Sequence, residues 1–320
     1  MVKKIGILFG RENTFPPALI DYINSQGEKD IIAEPVFIDK LVQGAATDYA
    51  VILDRISQDV PFYRAYLKNA ALGGTAVMNN PFWWSADEKF FNNSLLEASN
   101  IVVPKTVLLP SHERPTDTSS DSFRNLALPL DYESIFEYVG FPAFFKPFDG
   151  GGWKNVYKVH NAEELFKAWG ETGQLVMMLQ ENIEFESYYR CYCLDRKDVL
   201  IMPYEPRNPF HERYLRGDDA VVEPELHKQL VELVLKINKM LGYDFNTVEI
   251  AVRDGVLYPI DFCNPAPDAD NFSVGEDNFQ WVLKHAAKML INKAKSWKPG
   301  KQNLTWGEFV KKSTGGRALV

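Results

Sequence analysis

The sequence has few cysteines, and their pattern excludes most cysteine chemistry. Its three cysteines, Cys191, Cys193 and Cys263, follow no spacing typical of a metal or redox site. Cys191 and Cys193 alternate on one predicted strand, where the expected role is that of small buried apolar residues. The odd count and the lack of a secretory cysteine framework favour a reducing compartment.

Long apolar runs and an excess of positive charge are also missing. No stretch of 18 apolar residues occurs, so no membrane-spanning helix is expected. The apolar run Ile5–Phe9 is shorter than the core of a signal peptide. The 35 Lys and Arg against 43 Asp and Glu give a formal charge of −8, which provides no general basic field for nucleic acid or anionic lipid. These absences predict a cytoplasmic protein that binds neither nucleic acid nor membrane.

Residues 1–100 alternate between short apolar runs and amphipathic segments. Strands are predicted at Ile5–Phe9, Val36–Ile38 and Ala50–Leu53, and helices at Pro16–Asn24 and Phe62–Leu72. Alternation of this kind predicts an α/β layer with a largely parallel sheet.

The remainder of the chain favours antiparallel hairpins separated by helices. The predicted hairpins pair Pro142–Pro147 with Val156–Val159, Tyr188–Leu194 with Val199–Tyr204, and Thr247–Val252 with Val256–Ile260. Helices are predicted from Asp131 to Gly140, from Asn161 to Trp169, from Glu223 to Leu241, and from Asn278 to Trp297.

A lysine at the end of one predicted strand is followed by a glycine-rich turn. Lys146 precedes the turn Asp149–Asn155, whose glycines allow backbone amides to approach an anion. The lysine would add a point charge for phosphates. The structural alternative is a flexible hairpin tip beside an exposed lysine. The Gly-Lys-Ser/Thr ending of the Walker pattern is absent.

Two carboxylates and an amide occur on the last predicted hairpin. Glu249 lies on one strand, Asp261 at the end of the other, and Asn264 follows shortly after. Carboxylates that converge repel each other unless a cation lies between them. Oxygen ligands of this kind suit Mg²⁺, while a solvated hairpin with acidic ends is the alternative.

A basic segment stands out in this acidic chain. Guanidinium groups bind phosphates and carboxylates through paired hydrogen bonds, whereas the alternative is a solvated basic loop. The segment contains Arg190, Arg207, Arg213 and Arg216, with His211 and Tyr214 between them. Elsewhere, Gln180-Glu181-Asn182-Ile183 ends an apolar strand and could contact the edge of a purine, although these residues by themselves favour an ordinary strand end.

Taken in order, these segments resemble the ATP-grasp superfamily, and most of all its RimK and glutathione-synthetase branch. The similarity covers Arg55 to His285. The matching segments are Asn79-Asn80-Pro81 with Lys89, Val103–Thr106, Phe141–Lys146 with the glycine turn, Gln180-Glu181, Tyr189–Cys191, and Glu249, Asp261 and Asn264.

The sequence departs from the family's pattern at several positions. Glu88 replaces the aspartate that usually precedes the first lysine. Glu249 replaces an aspartate, and Asp261-Phe-Cys-Asn264 replaces the usual Glu-x-Asn. Trp153 occupies a glycine-turn position where small residues are common.

The resemblance implies an α/β (α+β) chain with the ATP-grasp fold behind a Rossmann-like N-terminal domain. The implied domains are 1–100, 101–180 (lysine strand and glycine loop) and 181–320 (magnesium and substrate site). The implied ATP-binding residues are Lys89, Lys146, Gly150, Gly151, Gly152, Gln180, Glu181 and Ile183. The implied metal ligands, for Mg²⁺ or Mn²⁺, are Glu249, Asp261 and Asn264. The implied catalytic residues are Arg190 with Arg207, Arg213 and Arg216.

The resemblance also implies an activity. An ATP-dependent ligase would activate a small-molecule carboxylate as an acylphosphate and couple it to an amine, either an amino acid or a peptide-like nucleophile. The alternative is a nucleotide-binding regulatory protein with the same cradle but no turnover. A dinucleotide-dependent oxidoreductase is disfavoured, because Gly6–Gly10 lacks the G-x-G-x-x-G pattern. Within the N-terminal layer, Arg11, Glu12 and Arg55 are candidates for holding the second substrate.

Overall fold

The computed structural model describes residues 2–82, 88–151 and 154–298. These form two compact units that both combine separate chain segments. The first unit contains residues 2–82, 187–250 and 261–298, and the second contains residues 88–151, 154–186 and 251–260. The sequence-based division at residues 100 and 180 stays a prediction.

The N-terminal part of the first unit is a parallel α/β layer. Its sheet has the strand order β2-β1-β3-β4, and the neighbouring strands in it run parallel. The elements are β1 (Lys3–Leu8), α1 (Phe15–Ser25), β2 (Ile31–Pro35), β3 (Tyr49–Asp54), α2 (Pro61–Leu72) and β4 (Ala76–Met78). The predicted parallel sheet is confirmed.

The strand predicted at Val36–Ile38 is wrong, because β2 ends at Pro35. The Asn24 side chain accepts from the N–H of Ala33 and donates to its C=O, at 2.8 and 2.9 Å. This contact anchors the earlier apolar run beside β1, whereas Phe37 is left 85% exposed. A run of apolar residues alone did not show which segment pairs with the sheet.

The second unit is built around an antiparallel sheet with the order β5-β8-β6-β7. Its buried face packs on a core that includes Phe145, Leu165 and Trp169. The elements here are α3 (Lys89–Ala98), β5 (Thr106–Leu109), α4 (Tyr132–Val139), β6 (Ala143–Pro147), β7 (Tyr157–Val159), α5 (Ala162–Gly170) and β8 (Met177–Glu181). The predicted hairpin of β6 with β7 is confirmed.

A further sheet has the order β10-β9-β11-β12. The β9–β10 pairing is antiparallel, as predicted. The elements are β9 (Ser187–Leu194), β10 (Asp198–Pro203), α6 (Pro224–Leu241), β11 (Phe245–Arg253), β12 (Val256–Asp261), α7 (Asn271–Val274) and α8 (Glu276–Ser296). Within the described ranges, no helix is long and apolar enough to cross a membrane.

Helix ends are stabilised by the residues that the sequence indicated. Asp131 accepts from the N–H of Ser134 at 3.1 Å, and Asn161 accepts from the N–H of Glu164 at 2.9 Å. Gly242 ends α6 in the left-handed conformation, with φ of +75°. A contact distant in sequence closes α8, because Lys3 Nζ donates to the carbonyls of Ala294 and Lys295 at 2.8 and 2.9 Å.

Candidate active site

In the second unit, Lys146 and Gln180 lie on one face of the sheet. Strands β6 and β8 are antiparallel, with Lys146 opposite Met178 and Phe144 opposite Gln180. Directly paired residues point to the same side of a sheet, so the two polar side chains share a face. Lys146 is 9% exposed and Gln180 is 2% exposed. The Gln180 amide donates to the Thr106 hydroxyl at 3.0 Å, which fixes its orientation.

The predicted phosphate residues Lys89 and Lys146 belong to neighbouring segments of this unit. The Lys89 N–H, at the start of α3, donates to the carbonyl of Phe148 at 2.6 Å. Phe148 follows β6 and leads into the glycine turn. Gly150 has a φ of +81°, a conformation that favours glycine over residues with a Cβ. Gly152 and Trp153 lie outside the described residues.

The end of β8 is held by interactions of Glu181. Its N–H donates to the carbonyl of Lys105 at 2.8 Å, and its carboxylate accepts from the N–H of Lys105 at 3.2 Å. The same carboxylate pairs with Arg253 at 3.2 Å. Ile183 is buried two positions later. The segment predicted to contact adenine is therefore an ordered strand end.

In the first unit, Glu249 and Arg190 face each other across neighbouring strands. Arg190 Nε lies 4.0 Å from Glu249 Oε1, and the Tyr188 hydroxyl donates to Glu249 Oε2 at 2.7 Å. Burial raises the pKa of Tyr188 far above its ordinary value, and the charges of Glu249 and Asp261 raise it further. The hydroxyl therefore stays protonated and remains a donor to Glu249.

The third predicted ligand, Asn264, is fixed by a buried neighbour. Its N–H donates to Asn246 Oδ1 at 2.8 Å, while the Asn246 amide donates to the carbonyl of Phe262 at 2.7 Å. The Asn264 amide nitrogen donates to the carbonyl of Thr247 at 3.3 Å. Because the side-chain nitrogen of Asn264 donates to the Thr247 carbonyl, the side-chain oxygen of the same amide does not face that carbonyl.

The chemistry of this donor set fits a hard divalent cation. Glu249, Asp261 and Asn264 offer only carboxylate and amide oxygens, the ligands that Mg²⁺ prefers. No cluster of three or more His, Cys, Asp or Glu suited to a metal occurs in the described part of the chain. The predicted ligand set has only two acidic residues, with an amide as its third member, so it is not a cluster of that kind. Its metal role stays a prediction.

The four arginines occupy different surroundings. Arg190 is largely buried, with its side chain 14% exposed, and the Tyr214 hydroxyl and Glu249 are among the groups that act on its charge. Burial by itself would lower the pKa of Arg190, but these neighbours raise it above its ordinary value. Arg207 pairs with Glu205 at 2.5 Å on the surface. The structure thus places Arg190 beside Glu249, while Arg207 pairs with Glu205.

The other two arginines contact loop segments. Arg213 Nε donates to the carbonyl of Asn208 at 3.0 Å, within their own loop. The Arg216 guanidinium fills the space beside Gly275, where an added Cβ would lie 2.8 Å from Nη2. The end of the Arg216 side chain could move to admit a Cβ, so it is the φ of +82° at Gly275 that favours glycine there.

With this geometry established, comparisons with known proteins identify the fold. No family model matches the chain. A D-alanine–D-alanine ligase from Clostridium botulinum (strain Loch Maree / Type A3) is 29% identical over 145 residues. That match spans 41% of this chain and 47% of the relative, which is about half of its length.

Solved structures match nearly the whole chain. A D-alanine–D-alanine ligase from Bacillus anthracis complexed with ATP has a TM-score of 0.65 at 17% identity, covering 92% of this chain and 98% of that one. A RimK domain ATP-grasp protein from Sphaerobacter thermophilus has a TM-score of 0.63 at 15% identity, covering 92% and 100%. The ATP-grasp ligase PsnB, complexed with minimal precursor, Mg and ADP, has a TM-score of 0.60 at 16% identity, covering 91% and 97%. The chain has the ATP-grasp fold.

Two tyrosines near Glu249 and Arg190, Tyr188 and Tyr204, were missed as site residues by the sequence analysis. Tyr188 lies two positions before Arg190 on β9, so their side chains share a face, and this alternation was a usable signal. The rings of Tyr204 and Tyr214 lie 5.0 Å apart, and Tyr214 returns the basic loop to β10 through a bridge with Tyr204. Sequence spacing gave no signal for the contact between Tyr204 and Tyr214, because Tyr214 lies in an irregular loop and Tyr204 directly follows a strand.

The cysteines have the predicted role of buried apolar residues. Cys191, Cys193 and Cys263 are free and buried. Burial raises the pKa of Cys193 to about 12, and it raises the pKa of Cys191 beyond that. Both thiols therefore stay protonated at neutral pH, so neither is an activated nucleophile.

Asp270 anchors the start of α1 in a pH-dependent way. Its carboxylate accepts from the N–H groups of Asn13, Thr14 and Phe15 at 3.1 to 3.2 Å, and from the Thr14 hydroxyl at 2.8 Å. Burial by itself would raise the pKa of Asp270, but these hydrogen bonds lower it below 3.8. Since the folded pKa is the lower one, this stabilisation is complete above the ordinary carboxyl pKa and is lost as the pH falls through the folded pKa.

We therefore expect Asp270→Asn to reduce the free energy of unfolding by about 2 kcal/mol at neutral pH, because hydrogen bonds to a charged group are replaced. The difference from the wild type should shrink as the pH falls below the ordinary carboxyl pKa and through the lower folded pKa. Urea unfolding of both proteins across this pH range measures it. Asp21→Asn, at an exposed position of α1, is the control and should show no such trend. A difference in unfolding free energy between Asp270→Asn and the wild type that stays constant with pH would contradict the proposed role of the Asp270 carboxylate in anchoring α1.

Proposed function

We propose that this protein is an ATP-dependent carboxylate–amine ligase. The observation that carries the proposal is the placement of Glu249 beside the largely buried Arg190, with the charges of Glu249 and Asp261 both acting on Tyr188, on an ATP-grasp fold. A protein that only bound a nucleotide would have little need of a carboxylate next to a largely buried guanidinium. The ligases that share this fold, including one bound to ATP and one bound to Mg and ADP, support the same reading.

The proposed roles follow from the chemistry of each group. Lys89, Lys146 and the backbone of Gly150 and Gly151 would bind the phosphates of ATP. The segment from Gln180 to Ile183 would hold adenine. The shared sheet face of Lys146 and Gln180 and the resemblance to ATP-grasp ligases support these assignments.

The proposed metal ligands would be Glu249, Asp261 and Asn264. Bound Mg²⁺ or Mn²⁺ would neutralise charge on the phosphate oxygens. Arg190 would stabilise negative charge on the transferring phosphoryl group or on the acceptor carboxylate, since its guanidinium is permanently charged and buried. Arg207, Arg213 or Arg216 would contribute by contacting the acceptor.

The proposed reaction has two steps. A substrate carboxylate oxygen attacks the γ-phosphorus, the bond from that phosphorus to ADP breaks, and an acylphosphate forms. The amine nitrogen then attacks the carbonyl carbon, the bond to phosphate breaks, and the amine loses a proton. The protein's contribution is alignment and charge stabilisation. The acid and the amine are proposed to be amino acids or short peptides.

The test is an ADP-release screen over pairs of carboxylates and amines. For a productive pair, an ¹⁸O label in the carboxylate should appear in the released phosphate, because one carboxylate oxygen leaves with it. Release of AMP and pyrophosphate would overturn the proposed chemistry. Tight binding of Mg-ATP by calorimetry, without ADP release for any pair, would favour a nucleotide-binding regulatory protein.

A further inference from the structure

The segment Pro265–Asp270, directly after the proposed ligand Asn264, is held by side chains from distant parts of the first unit. Hydrogen bonds reach almost every residue along it. Three side chains donate to carbonyls of the segment: Asn79 to Pro265, Arg55 to Pro267, and Tyr192 to Asp268. The Glu12 carboxylate accepts from the N–H of Ala269. The Asp270 carboxylate accepts from the N–H groups of residues 13–15. Such anchoring fixes the path of an otherwise irregular segment.

The Asn79 side chain makes four hydrogen bonds, two through each of its polar atoms. Its side-chain oxygen accepts from the N–H groups of Asp244 and Phe245 at 2.8 and 2.9 Å. Its side-chain nitrogen donates to the carbonyls of Phe245 and Pro265 at 2.7 and 3.0 Å. One amide therefore satisfies four backbone groups from two separate segments.

The two segments are those that carry the proposed metal ligands. Phe245 begins β11, the strand on which Glu249 lies, and Pro265 follows Asn264 directly. Asn79 thus ties the start of one ligand-bearing segment to the end of the other. Groups that hold metal ligands in position commonly have a strong effect on metal affinity.

We propose that Asn79 is a positioning residue for the metal site, setting the separation of Glu249 and Asn264. This inference rests on the proposed function. Asn79 has no acidic oxygen of its own and acts through the backbone of β11 and of Pro265. Its effect should therefore appear in metal affinity, and not only in stability.

Asn79→Asp is the sharpest test, because it changes the size of the side chain little. The carboxylate can still accept from Asp244 and Phe245, but it cannot donate. It would instead face the carbonyls of Phe245 and Pro265, which repel it. The substitution therefore breaks the link to Pro265 while leaving the link to the start of β11.

Asn69 offers a matched control in the same unit. Its oxygen accepts from the N–H of Gly44 at 2.8 Å, and its nitrogen donates to the carbonyl of Ala45 at 2.8 Å. Asn69→Asp removes the same kind of donor from a loop that carries none of the proposed ligands. A purely structural role for Asn79 would make the two variants alike.

The measurement is a Mn²⁺ titration of each protein without nucleotide, with free Mn²⁺ followed by electron paramagnetic resonance, because ATP in solution would itself bind the ion. We expect Asn79→Asp to weaken Mn²⁺ binding by roughly 10- to 100-fold, the usual effect of losing a group that orients a metal ligand. Asn69→Asp should change it less than about 2-fold, since its loop touches no ligand. Thermal unfolding by circular dichroism establishes that both variants are folded at the titration temperature.

The outcomes separate this inference from the proposed function. Wild-type protein that binds no Mn²⁺ would remove the metal site and with it the proposed ligase. Wild-type binding with equal affinities for the two variants would overturn the role of Asn79 alone. If Asn79→Asp does not fold, Asn79→Ser, which keeps one donor and one acceptor, takes its place, and wild-type Mn²⁺ affinity in that variant would overturn the inference.

Discussion

Asp261→Asn is expected to lower carboxylate-dependent ADP release by on the order of 10³-fold, or roughly 4 kcal/mol of transition-state stabilisation. The neutral amide keeps the shape of the side chain but removes one of the two negative charges that would hold Mg²⁺. The variant should fold normally, because the loss of one carboxylate from a converging pair reduces repulsion. Steady-state assays over a range of Mg²⁺ concentrations, together with thermal unfolding, measure both effects.

Asp21→Asn provides the control for this prediction. Asp21 is exposed on α1, so the same chemical change should leave turnover within about 2-fold of the wild type. If Asp261→Asn retains wild-type turnover at every Mg²⁺ concentration, Asp261 is not a metal ligand. Partial rescue at high Mg²⁺ would instead agree with a weakened but intact site.

Arg55→Met is expected to cost roughly 3–5 kcal/mol of unfolding free energy, the largest stability effect we predict. The Arg55 side chain is 1% exposed and forms an ion pair with Glu12. Its guanidinium also lies 5.2 Å from the ring centre of Phe15 and 4.9 Å from that of Phe245. Removing the cation leaves the Glu12 carboxylate without its charge partner in a largely buried setting, which is the main source of the cost.

Two variants test the origin of that cost. Adding Glu12→Gln to Arg55→Met should recover part of the loss, because the stranded charge is then also removed. Lys295→Met breaks an exposed pair with Glu28, whose side chains are 51% and 35% exposed, and should cost less than about 1 kcal/mol. Urea unfolding compares all of them. Equal losses for Arg55→Met and Lys295→Met would show that burial of the first pair contributes nothing.

This pairing also bears on the proposed second-substrate residues. Glu12 and Arg55 contact each other, and Arg55 donates to the carbonyl of Pro267. Arg11 forms a longer contact with Asp59 at 3.5 Å and is 80% exposed. Among these three, Arg11 has the side chain that is open to solvent, while substrate binding by any of them stays a prediction.

Elements with a local signal were predicted well. Helix α4 begins after Asp131 and α5 after Asn161, because a side-chain acceptor next to the first turn is visible in the sequence. The β6–β7 hairpin was predicted from two short apolar runs around the glycine turn. The exception, Val36–Ile38, failed because the pairing of β2 depends on a contact from Asn24 that apolar patterning does not reveal.

The candidate site likewise contains residues that the sequence indicated and contacts that it did not. Glu249 and Arg190 were both singled out from the sequence, yet nothing in their spacing indicated that they face each other across β9 and β11. Asn246 was missed altogether, although it fixes the backbone of Asn264. A buried amide that bonds to another segment's backbone has no periodic pattern.

The amino-acid sequence alone determined the alternating N-terminal layer, the hairpins, the helix ends and the order of motifs that resemble the ATP-grasp family. These depend on residues close together in the chain, where periodicity and capping act. Only the tertiary structure decided that Tyr188 donates to Glu249 and that Asn79 ties β11 to Pro265. Such contacts join residues separated by many positions, and they are stabilised by burial and hydrogen bonding that exist only once the chain has folded.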